Sequence, residues 1–136
     1  MKIKFNNSKK INRKQLERLY NDVEWHAYTQ DLEELQQAIE QSLEVISVWN
    51  DEELVGLIRV VGDGLTIIYI QDILVLNYYQ NQGIATQLIQ QVLNKYKSVR
   101  QKVLLTEEAL DVRRFYEKNG VQSCDKGSLV AFAKMN

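Results

Sequence analysis

The chain has 136 residues, of which 45% are hydrophobic and 26% charged, and its net charge is −1. This length suits one apolar core, so we expect residues 1–136 to form a single domain. The balanced charge offers no basic surface for nucleic acid. One histidine and one cysteine, Cys124, exclude an internal disulfide and argue against a metal site.

Targeting and membrane signals are not evident. Residues 1–12 include several lysines but have no apolar signal-peptide core, and no apolar run approaches the roughly 18 residues of a membrane-spanning helix. We therefore expect a cytoplasmic protein without a membrane partner.

The first third of the chain predicts a short strand and two helices. The strand is expected at residues 2–5. Apolar residues then recur at the spacing of one helix face, after Asn12 as a capping residue. Thr29 or Asp31 is suited to cap the second helix.

The middle of the chain predicts three strands. Segments 44–49 and 54–61 indicate an antiparallel hairpin. After the turn at 62–64, segment 65–76 is almost continuously apolar, so we expect this strand to be buried on both faces.

A third, longer helix is predicted after Gly83, with an apolar side that packs on the sheet. It is followed by a strand at 103–106, a helix at 111–119, and strands at about 122–124 and 128–134. The predicted order is β-α-α-β-β-β-α-β-α-β-β, an α/β (α+β) fold.

The turn before the third helix is typical of a pyrophosphate site. Residues 72–86 have the sequence D-I-L-V-L-N-Y-Y-Q-N-Q-G-I-A-T, in which a strand leads through one glycine into a helix. A helix N-terminus has unpartnered backbone N–H groups and a positive dipole end, which together bind an anion. Gly83 would let phosphate oxygens approach those amides. Neither the lysine-containing phosphate loop nor the three-glycine dinucleotide fingerprint fits.

Two motifs resemble a known family. Gln80-x-x-Gly83-x-Ala85 resembles the acetyl-CoA signature Q/R-x-x-G-x-G/A of the GCN5-related N-acetyltransferases (GNAT family). Residues 115–121, F-Y-E-K-N-G-V, resemble that family's F-Y-x-K-x-G-F element. Both occur in the family's order and at its usual separation. The resemblance extends over residues 45–121. It implies a mixed, mostly antiparallel central sheet flanked by helices, with acetyl-CoA as co-substrate and no metal.

The resemblance also implies how acetyl-CoA binds. Strands 65–76 and 103–106 would run parallel and separate beyond the end of the first, leaving a slot for pantetheine. The pantetheine amides would pair with main-chain groups of Leu74, Val75 and Leu76. The pyrophosphate would contact seven residues of the turn and the helix start: Gln80, Asn81, Gln82, Gly83, Ile84, Ala85 and Thr86.

The resemblance assigns proton donation to Tyr116. A tyrosine pKa of about 10 lies roughly 1.5 units above that of a thiol, so protonating the departing thiolate is a modest uphill step. The other interpretation is that Phe115 and Tyr116 only anchor their helix in the core. The adjacent E-K-N-G and the upstream turn favour the acid role.

The acceptor amine is mostly protonated at neutral pH, so a proton acceptor is desirable. Asp72 could take this proton through water, or it could pair with an arginine such as Arg59 on the neighbouring strand, and the sequence favours neither interpretation. Several family members carry the acidic group one residue earlier, at Gln71. Glu24 is a weaker candidate.

Three residues between the first two helices are candidates for the acceptor wall: Trp25, His26 and Tyr28. The family forms one side of its acceptor site there, and aromatic rings suit an aromatic or alkyl amine. The other interpretation is ordinary packing, which is favoured for His26. Relatives that share V-G-D-G before the central strand include proteins similar to arylalkylamine acetyltransferases.

The main functional prediction is direct transfer from acetyl-CoA to the primary amine of a small molecule or peptide in a ternary complex. Gln71 and Ala109 depart from the family pattern, and Gln80 stands where many relatives carry Arg. These three residues keep open a non-catalytic acyl-CoA-binding sensor. Acetylation of a protein N-terminus or lysine is a further alternative. The C-terminal edge strands are suited to pairing in a homodimer.

Overall fold

The computed structural model describes residues 2–136. The chain forms two compact units, Met1–Leu105 and Thr106–Asn136.

The first unit is built on a five-stranded sheet in the order β1-β2-β3-β4-β5. Its strands are β1 (Ile3–Asn6), β2 (Glu44–Asn50), β3 (Glu53–Gly62), β4 (Ile67–Val75) and β5 (Gln101–Leu104). Neighbouring strands are antiparallel except β4 and β5, which are parallel. The predicted α/β class with a mostly antiparallel sheet is therefore confirmed.

Four helices belong to the first unit: α1 (Arg13–Asp22), α2 (His26–Thr29), α3 (Leu32–Glu40) and α4 (Ile84–Lys95). Asn12 Oδ1 accepts hydrogen bonds from two backbone N–H groups in the first turn of α1, and Asp31 Oδ1 accepts one in α3. Both predicted caps are confirmed, and Asp31 rather than Thr29 begins the α3 helix. Helix α4 connects the two parallel strands.

The prediction that segment 65–76 is buried on both faces is wrong. Leu65 is 80% exposed, and the strand itself spans Ile67–Val75. Along it, buried residues such as Ile70 and Leu74 alternate with less buried ones, and Gln71 is exposed. One face of β4 is packed in the core while the other is only partly covered.

Two features of β4 shape its C-terminal half. Val60 pairs with Ile70 but Arg59 pairs with Asp72, so Gln71 is an extra residue in a β-bulge. Pairing with β5 ends at Ile70, whereas pairing with β3 continues to the end of the strand. The parallel arrangement of β4 and β5 is confirmed, and one edge of β4 is not paired with β5 beyond Ile70.

The second unit contains helix α5 (Leu110–Lys118) and a 3-10 turn at Cys124–Lys126. The strands predicted at 122–124 and 128–134 are wrong, because residues 106–136 contain no strand. Arg113 explains the first error: its guanidinium binds Ser123 and Asp125 and thereby folds this segment into a turn. In the second segment the apolar side chains are exposed, including those of Leu129, Val130 and Phe132.

Within residues 2–136, no helix is long and apolar enough to span a membrane. The longest helix is α4, with 12 residues.

Candidate active site

The turn between β4 and α4 has an unusual backbone. A 3-10 turn at Asn77–Tyr79 leads into it, and both Asn81 (φ 63°) and Gly83 (φ 83°) adopt left-handed conformations. Such a φ favours glycine, because a Cβ would be strained. A Cβ built on Gly83 would meet no heavy atom of the described residues within 4 Å. The space above Gly83 is thus open to a ligand.

Helix α4 begins without a cap. Its first intrahelical bond runs from Gln87 N to Gly83 O (3.0 Å), so the N–H groups of Ile84, Ala85 and Thr86 have no partner within the helix. Its N-cap residue, Gly83, has no side chain that could cap the helix, in contrast to Asn12 of α1 and Asp31 of α3. The free amides and the positive end of the helix dipole are suited to an anion.

The end of β4 is held by the turn that follows it. Gln80 Nε2 donates to the Val75 carbonyl oxygen (3.0 Å) and to Asn77 Oδ1 (3.1 Å). Leu76 N donates to Val55 O (2.8 Å). Gln80 therefore stabilises the turn through its neutral amide. The Val75 carbonyl oxygen and the Leu76 N–H each already have one protein partner.

Asp72 lies in a buried hydrogen-bond network that includes Tyr20 of α1. Its Oδ2 accepts from Arg59 Nε (2.7 Å) and from the Tyr20 hydroxyl (2.9 Å), and its Oδ1 accepts from the Tyr28 hydroxyl (2.7 Å). Asp72 is 2% exposed and Arg59 6%. The ion pair with Arg59, one of the two interpretations of Asp72, is present. Tyr28 is the half-buried member of the network.

The network keeps its protons and charges at neutral pH. Burial and then the negative charge of Asp72 raise the pKa of Tyr20 and of Tyr28. Burial would lower the pKa of Arg59, but the Asp72 charge and hydrogen bond outweigh it and raise the pKa. Both tyrosines therefore stay protonated and Arg59 stays charged.

Aromatic rings surround Tyr28. Its ring centroid lies 5.0 Å from that of Tyr20 and 6.2 Å from that of Trp25, and the Arg59 guanidinium lies 5.9 Å from it. The structure thus brings together Trp25, Tyr28 and Asp72 from the predicted set. His26 is exposed, and its Nδ1 lies 3.0 Å from Asn21 Oδ1 on α1.

Two members of this site were not predicted. Tyr20 is one of the residues at the spacing of one helix face after Asn12, and Gln71 is the position at which several family members carry an acidic group. Gln71 Nε2 in fact donates to the Tyr28 hydroxyl (3.0 Å). The available signal was Tyr20 itself, because a buried tyrosine hydroxyl usually needs a polar partner.

Tyr116 belongs to the second unit. It lies on α5 and is 9% exposed, and burial raises its pKa to about 12.

The free edge of β4 and the uncapped start of α4 are suited to an elongated, phosphate-bearing ligand. Residues 9–131 match the family described as Acetyltransferase (GNAT) domain. The chain belongs to this family, and as a member it is an acetyl-CoA-dependent N-acetyltransferase. No curated protein matches the sequence significantly.

Solved structures share the fold of this chain. A GNAT-family acetyltransferase from Streptococcus pneumoniae is 30% identical, with a TM-score of 0.87 over 99% of this chain and 98% of its own. An N-acetyltransferase from Thermoplasma acidophilum, solved with coenzyme A, is 14% identical, with a TM-score of 0.70 over 88% and 89%. An aminoglycoside acetyltransferase solved with a bisubstrate analogue is 18% identical, with a TM-score of 0.68 over 100% of both chains.

Proposed function

We propose that this protein transfers the acetyl group of acetyl-CoA directly to the primary amine of a small molecule in a ternary complex. The observation that carries the proposal is the position of β4. Its free edge leads into the open N-terminus of α4, while its Asp72 holds the half-buried Tyr28. One strand therefore links a site for the cofactor with a site for the amine.

In this proposal the cofactor binds mainly to backbone. The pyrophosphate accepts hydrogen bonds from the N–H groups of the turn and first helical turn, residues 81–86, with the Thr86 hydroxyl as a further donor. Pantetheine lies along the free edge of β4 at Leu74–Leu76, as an added strand would. Gln80 contributes by holding the end of β4 rather than by charge.

The amine nitrogen then attacks the thioester carbonyl carbon. The C–N bond forms, the C–S bond breaks, the nitrogen loses a proton and the thiolate gains one. Alignment of the two reactants supplies roughly 7 to 11 kcal/mol of the barrier. A main-chain N–H near Leu74 or Val75 stabilises the oxyanion.

Tyr116 is proposed as the proton donor to the thiolate. Its pKa of about 12 means that it is fully protonated at neutral pH. A phenol with this pKa is a weaker acid than the thiol, whose pKa is about 8.5. Proton transfer would therefore accompany C–S cleavage, when the sulfur becomes basic.

Asp72 is proposed to receive the amine proton only indirectly. Its three donors are Tyr20, Tyr28 and Arg59, and of these Tyr28 is the half-exposed one. A proton taken up at the Tyr28 oxygen, with the Tyr28 hydrogen passing to Asp72, would reach the carboxylate without opening the buried network.

The test is release of free thiol from acetyl-CoA with a panel of aralkylamines, polyamines and short peptides. Tyr116→Phe should lower kcat by about 10²-fold or more on the accepted amine. Tyr96→Phe is the matched control, because Tyr96 also has a pKa raised to about 12 but follows the far end of α4, bonded to Glu44. Saturable binding of coenzyme A without turnover on any amine would instead support the sensor function.

A further inference from the structure

The hydrogen bonds around Tyr28 have a defined direction. The Arg59 guanidinium can only donate and the Asp72 carboxylate can only accept. The Tyr28 hydroxyl, 2.7 Å from Asp72 Oδ1, must therefore donate its single proton inward. Only lone pairs of the Tyr28 oxygen remain for a partner on the outer side.

The orientation of Gln71 follows from that of Tyr28. A side-chain amide next to an oxygen that can only accept must present its NH₂ group, which agrees with the 3.0 Å contact from Gln71 Nε2 to the Tyr28 oxygen. The carboxamide oxygen, Oε1, is then left for another donor. Gln71 is exposed and lies in the bulge of β4, where pairing with β5 has ended.

Two residues that are hydrogen-bonded to each other thus each offer an acceptor at the solvent-facing end of the network. A neutral primary amine has two N–H hydrogens and one lone pair. If the two hydrogens bind the two acceptors, the lone pair stays free for attack. A secondary amine or an alcohol has only one such hydrogen and can satisfy only one acceptor.

We infer that Tyr28 Oη and Gln71 Oε1 together bind the two N–H groups of the acceptor amine and make the enzyme selective for primary amines. This inference rests on the proposed function. Arg59 is a positioning residue, because it acts through Asp72, and Asp72, which also receives the amine proton in the proposed function, fixes the direction of the Tyr28 hydroxyl. The ring centroid of Trp25 lies 6.2 Å from that of Tyr28, so the Trp25 ring is positioned to contact the carbon skeleton of the amine.

The experiment uses three nucleophiles with one skeleton: 2-phenylethylamine, its N-methyl derivative and 2-phenylethanol. Their KM and kcat values are compared in the wild type, Tyr28→Phe and Gln71→Leu at saturating acetyl-CoA. Each variant loses one acceptor, so KM for the primary amine should rise about five- to tenfold. The preference for the primary over the N-methyl amine should fall by a similar factor, while KM for acetyl-CoA stays the same.

Gln37→Leu, an exposed substitution on α3, is the control for replacing a surface amide by an apolar side chain. Gln71→Leu is the decisive variant, because Gln71 is exposed and its replacement leaves the buried ion pair intact. If Gln71→Leu keeps the wild-type KM and the wild-type preference, the inference is overturned. A purely structural role of Tyr28 would lower Tm and reduce kcat for all three nucleophiles equally.

Failure of the proposed function gives a different result. A wild type that binds coenzyme A but acetylates no amine would refute the proposed transfer to a small-molecule amine. The inference is then decided by binding of 2-phenylethylamine to the coenzyme A complex, followed by NMR chemical shifts. Tighter binding to the wild type than to both variants supports the acceptor pair, and equal or undetectable binding overturns it.

Discussion

Two turns at opposite ends of β4 use the same chemistry for different purposes. Before the strand, Asp63 Oδ1 accepts hydrogen bonds from the backbone N–H groups of Leu65 (2.8 Å), Thr66 (2.8 Å) and Ile67 (3.1 Å). After the strand, the residue that precedes α4 is Gly83, which has no side chain that could accept from the N–H groups at the start of the helix. In the first turn the protein supplies its own anion, and in the second it leaves the amides for a ligand.

The comparison shows that a cluster of backbone amides does not by itself identify a binding site. What distinguishes the two turns is the residue at the centre. A carboxylate at position 63 fills the first turn, and its hydrogen bonds to Leu65 and Thr66 hold its pKa well below the usual range. Glycine at position 83 has no side chain with which to fill the second.

Among variants of the two turns, Gly83→Ala should have the largest effect, which is on coenzyme A binding. The added Cβ meets no protein atom of the described residues but occupies the space where phosphate oxygens would approach. We expect the Kd to rise about 10- to 100-fold, since one or more charge-assisted hydrogen bonds are lost. Isothermal titration with coenzyme A measures this change.

Gly120→Ala is the matched control for that variant. Gly120 has a similar φ (86° against 83°), and a Cβ there also meets no heavy atom of residues 2–136 within 4 Å. Both variants should lose roughly 1–2 kcal/mol of unfolding free energy through backbone strain. Equal Kd values for the two variants would contradict the assignment of the phosphate to the Gly83 turn.

An intermediate effect is expected when the open turn receives its own anion. Thr86→Glu places a carboxylate in the first turn of α4, so coenzyme A affinity should fall about tenfold. The same charge interacts favourably with the helix dipole and should raise the unfolding free energy by about 0.3–1 kcal/mol. Titration and urea denaturation measure the two opposite changes.

The uncharged Thr86→Gln variant separates charge from the loss of the hydroxyl. It should bind coenzyme A more tightly than Thr86→Glu, and the difference should shrink at high salt. Equal affinities would mean that the pyrophosphate does not lie at the start of α4.

The smallest effect is expected from Asp63→Asn, which weakens the internal anion of the first turn. The pKa of Asp63 is lower in the folded protein than in the unfolded chain, where it is about 3.9. The charge of Asp63 therefore stabilises the fold above the unfolded pKa. This stabilisation is lost as pH falls through the folded pKa. The urea midpoint of the variant should therefore lie below that of the wild type at pH 7.

The difference between the urea midpoints of the wild type and Asp63→Asn should become smaller below about pH 4. Exposure of Asp63 to solvent keeps the effect small. Coenzyme A affinity at pH 7 should not change. A pH-independent gap would show that the carboxylate charge does not stabilise the turn.

Elements with local signals were predictable from the sequence. Asn12 and Asp31 each cap a helix by bonding backbone groups two or three residues away, and Gly83 immediately precedes α4. The predicted hairpin agrees with β2 and β3 to within one residue at each strand end, because its strands are adjacent in the chain.

Non-local contacts account for what was missed. The Asp72 carboxylate binds hydroxyls 52 and 44 residues earlier in the chain, on Tyr20 and Tyr28. No periodicity in the sequence indicates contacts over such a separation. The sequence therefore left open whether Asp72 accepts the amine proton or forms an ion pair with an arginine. The hydrogen bond from Gln71 to Tyr28 also depends on the fold bringing β4 close to α2.

By itself, the sequence determined the family motifs, the caps and the glycine of the cofactor turn, because these depend on residues a few positions apart. The tertiary structure decided which donors satisfy the buried carboxylate, where β4 loses its partner, and that residues 122–134 are not strands. Several of these outcomes depend on hydrogen bonds between residues that are far apart in the chain, and only the folded chain brings such residues together.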